Sequence, residues 1–201
     1  MSKHVLVIST SPRKGGNSDQ LADALIRGAQ DAGHKVEKIA LYDKTIGFCK
    51  GCLACQNTQR CVIRDDADAI AQKMLMADAI VFATPVYYYG MCGQMKTMLD
   101  RVNPLYASDY QFRDIYLLAT AAEDEETTVE GVIHGLQGWI TCFEKARLAG
   151  CVFAGGVTAV GEIEGHPALQ KAYEMQKSAP QPHLHAVLAP PCRSFSPTFT
   201  H

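Results

Sequence analysis

Two rhythms of apolar and polar positions alternate along this chain, and their alternation predicts its elements. Short apolar runs at about 4–9, 35–41, 78–84, 114–121 and 150–158 read as strands. Three of them, Val5–Ile8, Ala79–Ala83 and Ile115–Ala119, are apolar without interruption, the mark of strands covered on both faces of a parallel sheet. Between the strands the spacing changes to that of amphipathic helices. The first is expected from about Asp19 to Ala32, with Leu21, Leu25 and Ala29 on one face and Gly33 as its stop. Others are expected near Asp66–Met76 and near Gly93–Val102, where Met95, Met98, Leu99 and Val102 recur at i, i+3, i+4 and i+7. A fourth starts near Thr127, where Thr127-x-x-Glu130 reads as a capping box, and a fifth covers about Pro167–Gln176.

Five alternating β/α units predict an α/β, three-layer, doubly wound domain over residues 1–177. The expected sheet is five-stranded and parallel. Ligands of such sheets bind beyond the carboxyl ends of the strands, so the loops at that edge carry the candidate chemistry. Residues 178–201 hold Pro180, Pro182, Pro190, Pro191 and Pro197 and read as a Pro-rich C-terminal tail.

Composition narrows the function classes. A chain of 201 residues, 47% hydrophobic, suffices for one such domain with a full core. The net charge of −2 offers no basic surface for nucleic acid and no basic face for a membrane. No apolar run approaches the roughly 20 residues of a membrane helix, and the N-terminus leads into a strand without a signal-peptide pattern. The expected location is therefore the cytoplasm, where thiols stay reduced, and eight cysteines call for a role other than disulfides.

The most informative loop is Ser11-Pro-Arg-Lys-Gly-Gly-Asn-Ser18, between the first strand and first helix. Backbone N–H groups and a helix N-terminus favour a phosphate there. Arg13 can add a charged contact, Ser11, Asn17 and Ser18 supply polar side chains, and Gly15 and Gly16 allow close approach. The loop matches neither the P-loop nor G-x-G-x-x-G, and one Arg among hydroxyls suits a single phosphomonoester, such as that of FMN, better than a pyrophosphate. The plainer alternative is an ordinary turn capped by Asn17 or Ser18.

A second loop at the same edge is Thr84-Pro-Val-Tyr-Tyr-Tyr-Gly-Met-Cys-Gly93. Three adjacent tyrosines with glycines suit a flat ring ligand, and they equally suit a subunit contact. The third is Thr120-Ala-Ala-Glu123, small residues where a chain meets something flat. With Ser11-Pro-Arg13, Asn17-Ser18, Pro85-Val-Tyr87, Gly90, Gly93, Lys96, Asp100 and Arg101, the chain resembles the flavodoxin-like NAD(P)H-dependent FMN reductase family from about residue 4 to 160. The resemblance implies a flavodoxin-like sheet in the order 2-1-3-4-5, and that Ser11, Arg13, Gly16, Asn17 and Ser18 hold the FMN phosphate. It implies that Pro85, Val86, Tyr87, Tyr88 and Gly90, with Thr120 and Ala121, border the isoalloxazine. Lys96 and Arg101 read as helix-surface residues or partners in a salt bridge near Asp100, and Cys92 receives no role.

Within loop 47–64, Cys49, Cys52, Cys55 and Cys61 form C-x2-C-x2-C-x5-C. Bacterial ferredoxin runs share the x2–x2 spacing, whereas structural zinc sites pair two distant C-x-x-C knuckles. The segment resembles that of the iron–sulfur flavoproteins, which implies that these thiolates hold a [4Fe–4S] cluster near FMN; thiols without metal are the alternative. The expected function is thus FMN-dependent oxidoreduction. Electrons would pass from NAD(P)H, or a reduced carrier such as ferredoxin, to a small-molecule acceptor such as a quinone or flavin. No side chain is required as a catalytic acid or base. A homodimer or homotetramer is expected. An iron–sulfur electron carrier and a thiol redox sensor are the alternatives.

Overall fold

A computed structural model describes residues 2–175. The tail at 178–201 and the end of the fifth expected helix at Gln176 lie outside the described residues. Five parallel strands form the sheet: β1 (His4–Ser9), β2 (Lys35–Ala40), β3 (Ala79–Tyr87), β5 (Asp114–Thr120) and β6 (Arg147–Ala154). Their spatial order is β2-β1-β3-β5-β6, which is 2-1-3-4-5 when the parallel strands alone are counted. The addition is β4 (Gly90–Met91), two residues that turn back antiparallel on β3.

Helices cover both faces: α1 (Asn17–Asp31) and α6 (Pro167–Glu174) on one, α3 (Asp66–Met76), α4 (Gly93–Arg101) and α5 (Glu130–Ile140) on the other. The period-2 pleat sorts the strand side chains accordingly. Leu6, Ile8, Ile80, Phe82, Ile115 and Leu117 face α3, α4 and α5. Val5, Val7, Ala79, Val81, Tyr116 and Leu118 face α1 and α6. A Cβ on Gly28 of α1 would lie 1.8 Å from the Tyr173 carbonyl oxygen, so that glycine permits the close packing of α1 on α6.

Several boundaries differ from the sequence pattern, for identifiable reasons. Helix α1 starts at Asn17 with Gly16 as its N-cap and no side-chain cap, so the capping alternative for Asn17 and Ser18 does not hold. Strand β6 spans Arg147–Ala154 rather than 150–158. Residues 155 and 156 leave the sheet because the backbone of Asp124 crosses there, 2.5 Å from where a Gly155 Cβ would stand. The Thr127-x-x-Glu130 box does not form: Glu126–Val129 is a 3-10 turn, and α5 begins at Glu130 without a side-chain cap. A four-residue helix within the cysteine loop, α2 (Cys55–Thr58), had no periodic signal.

Candidate flavin and thiol site

Loop 11–18 folds on itself at the carboxyl end of β1. The Ser11 hydroxyl donates to the Arg13 carbonyl at 3.0 Å and accepts from the Arg13 amide at 3.2 Å. Gly15 adopts φ +65, and a Cβ on Gly16 would stand 2.8 Å from Ser11 Oγ and 3.2 Å from the Arg13 carbonyl oxygen. Ser11, Asn17 and Ser18 are buried; the Asp19 amide already donates to the Gly16 carbonyl at 2.9 Å, which leaves the Asn17 and Ser18 amides as those without an intrahelical acceptor. This cradle fits a phosphomonoester: buried hydroxyls and a helix N-terminus, with the one residue that must lack a Cβ being glycine.

Two predicted ligands are engaged otherwise. Arg13 is exposed, and its Nη1 donates to the Thr158 carbonyl at 3.0 Å. Asn17 donates through Nδ2 to the Ala159 carbonyl at 2.8 Å and accepts from the Gly161 amide at 3.2 Å. Glu162 accepts from the Ala159 amide at 2.8 Å and from the Thr158 amide at 2.6 Å. Segment 158–162 is thus strapped over the phosphate loop, a partner that sequence pattern did not mark.

The second loop is a two-residue hairpin. Tyr87 pairs with Gly90, and between them Tyr88 and Tyr89 have φ of 48 and 60. Positive φ at both central positions is the geometry of a type I′ turn, which normally selects Asn-Gly because bulky residues are strained there. All three tyrosines are exposed, Tyr88 completely. Helix α5 supports the hairpin closely: a Cβ on Gly131 would lie 2.1 Å from the Tyr89 carbonyl oxygen. Val86 is half-buried behind the tyrosines, and Pro85 pairs in register with Thr120. Thr120 is buried, and Ala121 is tied to the strap side by its amide on the Ala154 carbonyl and its carbonyl to the Val157 amide. The structure therefore brings the first, second and third predicted loops to one sheet edge.

Cys92 joins two of these loops, a role the sequence pattern missed. The residue is fully buried. Its thiol lies 3.2 Å from Thr10 Oγ1 and 3.4 Å from Thr84 Oγ1, and its amide donates to Thr84 Oγ1 at 3.3 Å. A small, weakly polar side chain there pins the end of β1 to the end of β3 just before α4.

The four predicted ligand cysteines line a single cavity of about 460 Å³, together with Trp139, Cys142 and Phe143 of the α5 end. None of the four is in a disulfide. Cys49 and Cys52 are exposed, Cys61 is half-buried and Cys55 is buried. The expected convergence into a ligand set is not present: among the described residues no three His, Cys, Asp or Glu side chains stand close enough to hold a metal ion. The physical reason is local, since the Cys49–Cys52 stretch runs over the surface with Gly51 and Leu53 in left-handed conformation while Cys55 is anchored in α2. What the structure does supply is donors to sulfur. The Gly51 amide donates to Cys49 Sγ at 3.4 Å and Asn103 Nδ2 to Cys55 Sγ at 3.1 Å. Donors of this kind surround iron–sulfur centres. The donor set thus fits a cluster in chemistry, with the outer strand of the loop required to close.

Lys96 makes the expected surface pair with Asp100 at 2.7 Å. Arg101 departs from expectation: it is 1% exposed, not on the helix surface. Its Nη1 donates to the Gly47 carbonyl at 2.7 Å and to Asp65 at 2.6 Å, and its Nη2 to the Ile63 carbonyl at 3.1 Å and to Asp65 at 2.8 Å. Burial alone would raise the Asp65 carboxyl; the Arg101 guanidinium and the Gly47 and Ala67 amides override it and hold its pKa below the ordinary value.

Comparison with known proteins agrees with this arrangement. Residues 4–134 match the family described as NADPH-dependent FMN reductase. An iron–sulfur flavoprotein of Methanocaldococcus jannaschii is 35% identical over 133 residues, covering 64% of this chain and 68% of that protein. One from Methanosarcina thermophila is 28% identical over 170 residues, covering 84% and 86%. One from Archaeoglobus fulgidus is 40% identical over 94 residues, a match spanning 47% of this chain and 43% of that protein's length. The fold is also that of the NAD(P)H:quinone oxidoreductase from Methanothermobacter marburgensis, with TM-score 0.73 at 20% identity over 92% of this chain and all of that one. The chain therefore belongs to the NADPH-dependent FMN reductase family, in its iron–sulfur flavoprotein branch, and is an FMN-dependent oxidoreductase with a flavodoxin-like fold.

Proposed function

We propose that this oxidoreductase takes electrons from NAD(P)H, or from a reduced carrier such as ferredoxin, and delivers them to a small acceptor such as a quinone or free flavin, with a [4Fe–4S] cluster in the cysteine cavity as its one-electron partner. The observation that carries this reading is the single cavity lined by Cys49, Cys52, Cys55 and Cys61, with donors already aimed at two of the sulfurs. When bound, FMN supplies hydride acceptance and stepwise electron release, and the cluster supplies single-electron exchange.

The chain's own residues bind and orient. The amides at the start of α1, with Ser11 and Ser18, hold the phosphate; Gly16 lets the loop close on Ser11 and Arg13, and Asn17 fixes the strap that covers it. Arg13 adds charge from the rim. Pro85, Val86, Tyr87, Tyr88 and Gly90 border one side of the flavin ring, and Thr120 and Ala121 another. The exposed tyrosine faces accept a flat donor or a neighbouring subunit in a homodimer or homotetramer. No side chain acts as an acid or base. Thiols outside disulfides suit a reducing cytoplasm, the location we assign. Among the described residues no helix is long and apolar enough to cross a membrane.

Anaerobic reconstitution tests the reading. Parent protein is expected to take up about four iron and four sulfide per chain, with a broad visible absorption that reductant bleaches. Cys52→Ser should lose the iron and keep FMN, because the phosphate loop lies in another segment. Failure of the parent to take up iron returns the chain to a plain FMN reductase with a structural cysteine loop.

A further inference from the structure

Arg101 is the largest fully buried side chain of the described residues, yet it sits in the wall of the cysteine cavity and not in the apolar core. Burying a guanidinium is costly unless its donors are matched, and such a residue is retained where its geometry is needed. Here the match is to one segment. The two terminal nitrogens take the carbonyls of Gly47 and Ile63, the two ends of the cysteine loop, and both oxygens of Asp65. Asp65 in turn accepts from the Gly47 amide at 2.8 Å. The loop is thereby closed like a clasp over residues 47–65, with Cys49, Cys52, Cys55 and Cys61 all between the fastened points. One donor remains over: Arg101 Nε is buried with no acceptor among the described residues. A buried donor without a partner is rare and calls for an explanation. The cavity it borders is lined by sulfur.

Helix α4 adds a second constraint. Its N-terminal side follows Cys92, which pins the flavin edge, and its last residue is Arg101. The same nine-residue rod holds both ends, about 13 Å apart at 1.5 Å per residue.

We infer that Arg101, clasped to Asp65, is the positioning residue of the cysteine site: it closes loop 47–65, fixes the loop to the flavin edge through α4, and directs its spare donor toward the anionic sulfur group held there. The inference rests on the cluster reading above. It assigns Arg101 no contact with substrate.

The test uses Arg101→Lys and Asp65→Asn in the full chain with FMN. Lysine keeps the charge and loses the fork. Asparagine weakens the clasp while still able to cap α3 at Ala67, so the fold is preserved. Both variants are expected to fold and keep FMN but to unfold at a lower temperature than the parent, because each breaks the match of a buried guanidinium. After anaerobic reconstitution, both should release iron to a ferrous chelator about 10- to 100-fold faster than the parent, the usual effect of losing an outer-shell partner. The reduction potential of the cluster in Arg101→Lys should fall, because a donor toward sulfur is lost. In protein without iron, the buried Cys55 and half-buried Cys61 thiols should react faster with a disulfide reagent in both variants. Iron release and potential like the parent's, in variants that retain FMN, would overturn the inference. If the parent itself takes up no iron, the cluster reading fails, and thiol reactivity then decides the clasp alone: variant loops reacting at the parent's rate overturn it as well. Should Arg101→Lys lose FMN or unfold, Asp65→Asn decides.

Discussion

Gly16 shows how one missing atom defines a binding site. A Cβ there would press to 2.8 Å on Ser11 Oγ, which is itself locked to Arg13 by two hydrogen bonds and cannot step aside cheaply. Gly16→Ala is therefore expected to open the loop and weaken FMN binding by about 10-fold or more, equivalent to roughly 1.4 kcal/mol, measured by fluorescence titration of the apoprotein. Arg13→Ala should cost less than Gly16→Ala, because an exposed charge is screened and this one already has the Thr158 carbonyl as partner. An equal or larger loss in Arg13→Ala would mean that the guanidinium swings inward when phosphate binds.

The tyrosine hairpin trades local stability for placement of its rings. Tyr88 and Tyr89 both hold left-handed backbone in a turn that favours Asn-Gly, a strain of order 1–3 kcal/mol per residue in general. Replacing the pair by Asn-Gly is expected to raise the unfolding free energy by about 1–2 kcal/mol, read by denaturant titration. The same variant should bind FMN more weakly and sediment as a smaller species than the parent, since it loses the exposed rings. A parent that sediments as a clean monomer at micromolar concentration removes the subunit-contact role. The cysteine loop is the opposite kind of element. It has little regular structure of its own and takes its shape from Arg101 at the end of α4 and from Asn103 in the turn just beyond it.

Across the whole molecule, buried and partly buried carboxylates tie segments distant in sequence, and their ionisation links stability to pH. Asp114 is buried with Lys3 and Arg147 on either side; burial would raise its carboxyl, and the two cations override this and lower it. Asp65 is lowered in the same sense. A carboxyl depressed on folding contributes stability above its unfolded pKa of about 3.9, and that contribution is lost as pH falls through the lower folded value. Thermal stability should therefore be flat with respect to these two groups from about pH 5 upward and fall steeply below about pH 4. Asp65→Asn should show a shallower acid slope than the parent in the same scans, and an unchanged slope would show that Asp65 is not depressed in solution.

The α/β class, the two covered faces of the sheet and the three loops at its carboxyl edge were legible in the chain itself. They follow from local periodicity and from the right-handed crossover, which hold wherever apolar runs of this kind alternate with helices. The spacing of Cys49, Cys52, Cys55 and Cys61 was likewise a local signal, and so was the small-residue turn at Ser11–Ser18. Other features depend on partners far away along the chain. Arg101 reads as one more charge on an amphipathic helix until Asp65, 36 residues before it, and Gly47, 54 before it, close on its fork. Cys92 gains a role only when Thr10, 82 residues away, comes beside it, and Arg13 is drawn to the rim by Thr158 at a separation of 145. Local pattern reports which face of an element is apolar, because burial has a period. It carries no record of which buried polar group meets which, because hydrogen-bond partnership is decided by where the packed elements bring their ends.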